Sequence, residues 1–159
     1  MYKLKLKTYI FRYGVVTGVV GGSTLTEDHG NDYSSSATST YLYLRATGHR
    51  SDSSSNAGGS YLYKSLSSKI SMSGWKTLGA TAESGDSSYS HFGLSTHVDG
   101  SKSSASDTFD VAKTGVGSHG NYTLSLSSYQ SSYYVKFGAF CKKDVQATKY
   151  IYMYHMWLE

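Results

Sequence analysis

Two segments, Thr40-Tyr41-Leu42-Tyr43-Leu44-Arg45-Ala46 and Ser60-Tyr61-Leu62-Tyr63-Lys64, alternate aliphatic with aromatic or charged residues at a period of two. Successive side chains leave a strand on opposite faces, so the pattern suits a strand buried on one face only. Tyr150-Ile151-Tyr152-Met153-Tyr154 repeats it near the end of the sequence. In each segment the aliphatic face is expected to enter a core. Tyr41, Tyr43, Tyr61, Tyr63, Tyr150, Tyr152 and Tyr154 then stand half-exposed on the other face. The first two segments are expected to pair as a long-looped hairpin with their tyrosines on a common face.

The opening Tyr2–Ile10 alternates in the same way, with Leu4, Leu6 and Ile10 on one face and Lys3, Lys5 and Lys7 on the other. A lysine face discourages unwanted edge pairing. Gly14 breaks this run, and Val15–Val20 continues as a second extended segment. Further strands are expected near Lys69–Met72, Trp75–Ala82, Tyr89–Val98, Thr108–Ala112, Asn121–Leu126, Tyr133–Cys141 and Lys149–Trp157. Asp99-Gly100 is a two-residue hairpin signal. Polar stretches at 27–39 and 48–59 read as surface loops, and no segment of helix length keeps helical periodicity.

At 159 residues the chain reads as one β-domain spanning 1–159. Many short strands with frequent turn residues suit an antiparallel β-sandwich, with a closed β-barrel as the alternative and little or no helix. Serine richness alone would also suit disorder, but aromatics reach 14% and charged residues only 16%, the reverse of a disordered composition. Proline is absent. Prolines guard sheet edges, so their absence favours either closure of the sheet or edges that meet other copies of the chain.

Charge and cysteine usage narrow the function classes. Fifteen Lys and Arg against 11 Asp and Glu give a formal charge of +4, too thinly spread for a nucleic-acid surface. Cys141, the one cysteine, shares a strand face with Val135, Phe137 and Ala139 and reads as a small buried hydrophobe. No apolar run reaches the ~18 residues of a membrane helix. The apolar start is split by Arg12, so it reads as mature protein rather than a signal peptide.

No catalytic signature emerges. A Gly-x-Ser-x-Gly elbow is missing, and Ser118-His119 are strand neighbours that point to opposite faces. No pair of acids stands out as a glycosidase pair, and no phosphate-cradling loop is present. His91, His97 and Asp99 could share a strand face and hold a divalent ion, though Asp99 also suits a turn for backbone reasons alone. Asn121-Tyr122-Thr123 matches an N-glycosylation sequon. No cofactor is implied.

The tyrosine faces are the positive signal, because Tyr offers large contact area at low entropic cost. They point to a non-enzymatic structural or interaction protein, extracellular or on a cell or virion surface. Its partners are other copies of the chain, a surface glycan or another protein. The first alternative is a secreted membrane-active toxin using amphipathic hairpins at Tyr33–Ala46 and Ser84–Val98, and the second is a secreted hydrolase.

Overall fold

A computed structural model describes residues 6–50, 60–98, 109–141 and 145–159. In chain order its strands are β1 (Thr8–Arg12), β2 (Val15–Val16), β3 (Leu25–His29), β4 (Tyr33–Ala37), β5 (Leu42–Gly48), β6 (Ser60–Leu66) and β7 (Ile70–Ser71). The second half adds β8 (Thr77–Ser84), β9 (Ser90–Ser95), β10 (Val111–Lys113), β11 (Gly120–Ser125), β12 (Ser132–Cys141) and β13 (Ala147–Leu158). All pairings are antiparallel and no helix occurs among the described residues. The result is a two-sheet sandwich, not a barrel.

The two longest strands organise the sheets. In sheet A, β13 pairs with β8 along one edge, while its other edge is shared by β5 and then β1. β11 flanks β8, β4 flanks β5, and β2 flanks β1. In sheet B, β12 pairs with β9 on one side and with β6 and β7 on the other, with β10 and β3 at the edges. Between the sheets, Leu44, Leu78, Ile151 and Met153 of sheet A meet Leu62, Phe92, Leu94, Val135 and Phe137 of sheet B, all buried. Removing each such side chain from water contributes about 1.5–3 kcal/mol.

Sheet B has a second, smaller apolar layer on its outer face. Tyr61, Tyr63, Phe109 and Phe140 cluster there, joined by Tyr89 and Ala112. Lys136 is fully buried in this layer, its Nζ donating to the carbonyl of His97 at 3.1 Å.

Three expectations need correction. β5 and β6 do not form a hairpin; they lie in different sheets, β5 beside β13 and β6 beside β12 and β3. Tyr61 and Tyr63 are therefore not on the face of Tyr41 and Tyr43, and they are buried at 9% and 1% exposure rather than half-exposed. Within 27–39, taken for a loop, lie the end of β3 and all of β4, which pair with β6 and β5. Cys141 is buried as expected, with its Sγ so close to Gly48 that a Cβ there would lie 2.5 Å away. Lys3, Leu4, Lys5, most of the 48–59 stretch and the Asp99-Gly100 pair lie outside the described residues.

Candidate functional site

The outer face of sheet A carries what the alternating segments expel from the core. On β5 and β13, Leu42, Leu44, Ile151 and Met153 point inward. Tyr41, Tyr43, Tyr150, Tyr152 and Tyr154 point outward and are half-buried. Pairing of β5 with β13 sets Tyr43 opposite Tyr152 and Arg45 opposite Tyr150. Ring centroids follow one another at 5.9 Å (Tyr150–Tyr43), 4.7 Å (Tyr43–Tyr152), 4.9 Å (Tyr152–Tyr41) and 5.5 Å (Tyr41–Tyr154). The pairs are edge-on or tilted, the arrangements aromatic quadrupoles prefer. Each ring braces the next, so little side-chain entropy is left to lose on binding. Burial, then neighbouring tyrosines and Glu83, pushes the hydroxyl pKa of Tyr152 up, and burial does the same first for Tyr43 and Tyr154. These hydroxyls stay neutral and can both donate and accept.

Short polar side chains flank this row. β4 sets Ser34 against Arg45 and Ser36 opposite Tyr43. From β8, Glu83 lies opposite Tyr152, and its carboxylate accepts from the Tyr154 hydroxyl at 3.5 Å. Thr81 donates to the exposed Asn121 of β11 at 2.7 Å. His119 meets Tyr154 edge-on at 4.5 Å, with its Nδ1 3.9 Å from Glu83.

Charged groups close both ends. At one, Arg45 donates to Ser34, Thr47 and Asp32, and His49 contacts the second Asp32 oxygen at 2.7 Å. The His49 hydrogen bond, opposed by desolvation and aided by Arg45, holds the Asp32 carboxyl below its usual range. At the other end β13 bulges: its register against β8 shifts between Met153 and His155. The extra residue puts Tyr154 and His155 on the outer side together and returns Met156 to the core. Past the bulge lie Trp157 and, from β1, Tyr9, 5.9 Å from the His155 ring.

Of the residues singled out from sequence, Tyr41, Tyr43, Tyr150, Tyr152 and Tyr154 come together here, while Tyr61 and Tyr63 lie on the far side of the molecule. Of the possible metal set, His91 lies within β9 and His97 beyond its end. β9 ends at Ser95, the ring of His91 is enclosed beside Phe109 and Phe140, and His97 turns its Nδ1 to Thr96. Asp99 lies outside the described residues. Among the described residues no group of three His, Cys, Asp or Glu side chains is placed to hold a metal.

No family model and no curated protein sequence matches the chain. A solved structure does: a point mutant of a family 29 carbohydrate-binding module, at a TM-score of 0.53 and 11% identity, covering 98% of this chain and 92% of that one. At that identity the likeness is one of fold, a β-sandwich.

The sequence does not single out Arg45, Glu83, Ser34, Ser36, Tyr9 or Trp157, and it marks His119 only as a rejected catalytic neighbour of Ser118. Arg45 does share the alternation of Tyr41 and Tyr43, which was a readable signal. Ser34 and Ser36 reach the face through the pairing of β4 with its neighbour β5, and Glu83 and Tyr9 through pairings of β8 and β1 with the distant β13.

Proposed function

We propose that the protein is a non-catalytic module, working outside the cytoplasm, that binds a polysaccharide on the outer face of sheet A. The observation that carries this reading is the continuous row of five half-buried tyrosines, from Tyr150 through Tyr43, Tyr152 and Tyr41 to Tyr154. A sugar ring has apolar C–H faces and a hydroxyl-bearing rim. Aromatic rings receive the former, while Ser34, Ser36, Thr81, Glu83, Asn121 and Arg45 stand where the rim would fall. From Tyr150 to Tyr154 the strand advances about 13 Å at ~3.3 Å per residue. That length suits several linked sugars better than one. The sandwich neighbour named above, a carbohydrate-binding module, supports the reading at the level of fold.

Affinity electrophoresis through gels containing cellulose derivatives, xylan, glucomannan or pectin tests it. Retardation by at least one polysaccharide is expected. Tyr152→Ala should weaken it roughly tenfold, the ~1.4 kcal/mol expected of a central aromatic contact. No retardation by any polysaccharide, or unchanged retardation of Tyr152→Ala and Tyr41→Ala, overturns the reading. Oligomers in light scattering that Tyr152→Ala dissolves would assign the face to a second copy of the chain.

A further inference from the structure

Beyond Tyr154 the character of the face changes. Lys7 sets its Nζ 3.8 Å from the ring centre of Trp157. The Arg12 guanidinium lies over Tyr9 at 4.4 Å and beside Tyr13 at 5.6 Å. Both cations are exposed, and neither pairs with a carboxylate among the described residues. The Nδ1 of His155 accepts the backbone N–H of Tyr13 at 3.1 Å, which leaves the ring's proton on Nε2. The indole Nε1–H of Trp157 is buried with no acceptor. This end therefore offers Lys7, Arg12 and His155 as donors at the surface, and the acceptor nitrogen it contains is already taken.

The turn that carries Arg12 is built at a conformational cost. Tyr13 and Gly14 form the two-residue connection between β1 and β2, with φ of 51° and 80°. Such turns favour Asn, Asp or Gly, because a bulkier residue with positive φ is strained. Tyr13 nevertheless occupies the first position, 53% exposed, its ring edge-on to His155 at 4.7 Å. Gly14 locks the turn down: its N–H donates to the Tyr154 carbonyl in the bulge, and a Cβ there would lie 2.5 Å from the backbone of Tyr41. A strained, exposed aromatic held by tight contacts at a surface turn is the kind of outlier from which a binding role is inferred.

We infer that the cationic end formed by Lys7, Arg12, Tyr13 and His155 recognises an acidic group on the bound polysaccharide, a carboxylate or a sulfate ester. This rests on the polysaccharide reading above and narrows it to an anionic chain. Sugars lie along the tyrosine row with their C–H faces on the rings. The acidic substituent of a sugar beyond Tyr154 reaches Arg12, whose planar fork suits an oxyanion, with Lys7 adding charge. Tyr13 stands beside the same guanidinium, which fits keeping a strained tyrosine where asparagine would sit more easily.

Calorimetric titration with oligogalacturonate, with a sulfated glycosaminoglycan oligosaccharide and with a neutral xylo-oligosaccharide, each at low and high salt, tests the inference. One acidic probe should bind at least tenfold more tightly than the neutral one, and its affinity should fall as salt rises. The tighter of the two identifies carboxylate or sulfate as the group. Arg12→Gln and Lys7→Gln, both exposed positions, should each weaken the acidic probe about fivefold and leave the neutral probe unchanged; Tyr13→Asn should weaken it as well. Preference for the neutral probe, or wild-type affinity for the acidic probe in Arg12→Gln, overturns the inference while the tyrosine row stands. Wild-type affinity in Tyr152→Ala overturns the row itself, and tighter binding to single-stranded oligonucleotide than to any sugar overturns both.

Discussion

Lowering the pH from about 7 to about 5 charges His91 in the unfolded chain while the folded protein keeps it neutral. The ring lies on the outer face of sheet B at 2% exposure, between Phe109 and Phe140, and its Nδ1 has no hydrogen-bond partner. Burial lowers its pKa from 6.5 to about 4, against a smaller opposing pull from the Ser88 backbone. A histidine depressed in this way adds stability that is complete above 6.5 and is lost as pH falls from there towards the folded value. At about 1.4 kcal/mol per pH unit, the full gap is about 3 kcal/mol. That is a large share of the ~5–15 kcal/mol that holds a typical domain together. His155, also lowered by burial and then by Arg12 and Lys7, acts in the same direction. The carboxyls of Asp32 and Asp86 are held low, so their contributions fall away only below their ordinary 3.8. The window between is thus a histidine window. Urea unfolding followed by Trp fluorescence should show stability falling by roughly 2–3 kcal/mol from pH 7 to pH 4.5. His91→Leu should remove most of that slope. A flat profile in the wild-type protein, or an undiminished slope in His91→Leu, refutes the reasoning.

Two further outcomes follow from close packing and capping. Gly79 lies beneath the Trp157 indole, where a Cβ would come 2.2 Å from the ring; Gly79→Ala should cost about 1–3 kcal/mol, read as a lower urea midpoint. Gln130 accepts from the Gly74 N–H and donates to the carbonyls of Trp75 and Leu126; because these groups are largely open to water, Gln130→Ala should cost only about 0.5–1.5 kcal/mol, read by the same urea midpoint.

The sheet faces were legible where one side of a strand meets a core and the other meets solvent. Tyr41–Ala46 and Tyr150–Tyr154 meet that condition, and their tyrosines lie where alternation put them. β6 does not. Leu62 enters the main core as expected, but Phe109 and Phe140 cover the opposite face, so Tyr61 and Tyr63 are buried as well. Two-sided burial leaves no contrast in the pattern. β4 fails for the opposite reason: Tyr33-Ser34-Ser35-Ser36-Ala37 is an edge strand exposed along most of its length, with no apolar face to read. Strand partners were the hardest to foresee. β5 joins β13, about a hundred residues away, because loop-closure entropy grows only slowly with length and does not force neighbours in sequence to pair. The cationic end of the site depends on the bulge at Tyr154 and on the register of β1 against β13, neither of which leaves a mark in a single segment.

The central claim is that ligand contacts the tyrosine row of sheet A. Its most direct measurement is an NMR titration of tyrosine ring signals, assigned by substitution, with the polysaccharide that retards the protein most. Shifts should concentrate on Tyr41, Tyr43, Tyr152 and Tyr154, with Tyr61 and Tyr63 unmoved. Shifts at Tyr61 and Tyr63, with the sheet A row silent, would contradict the account.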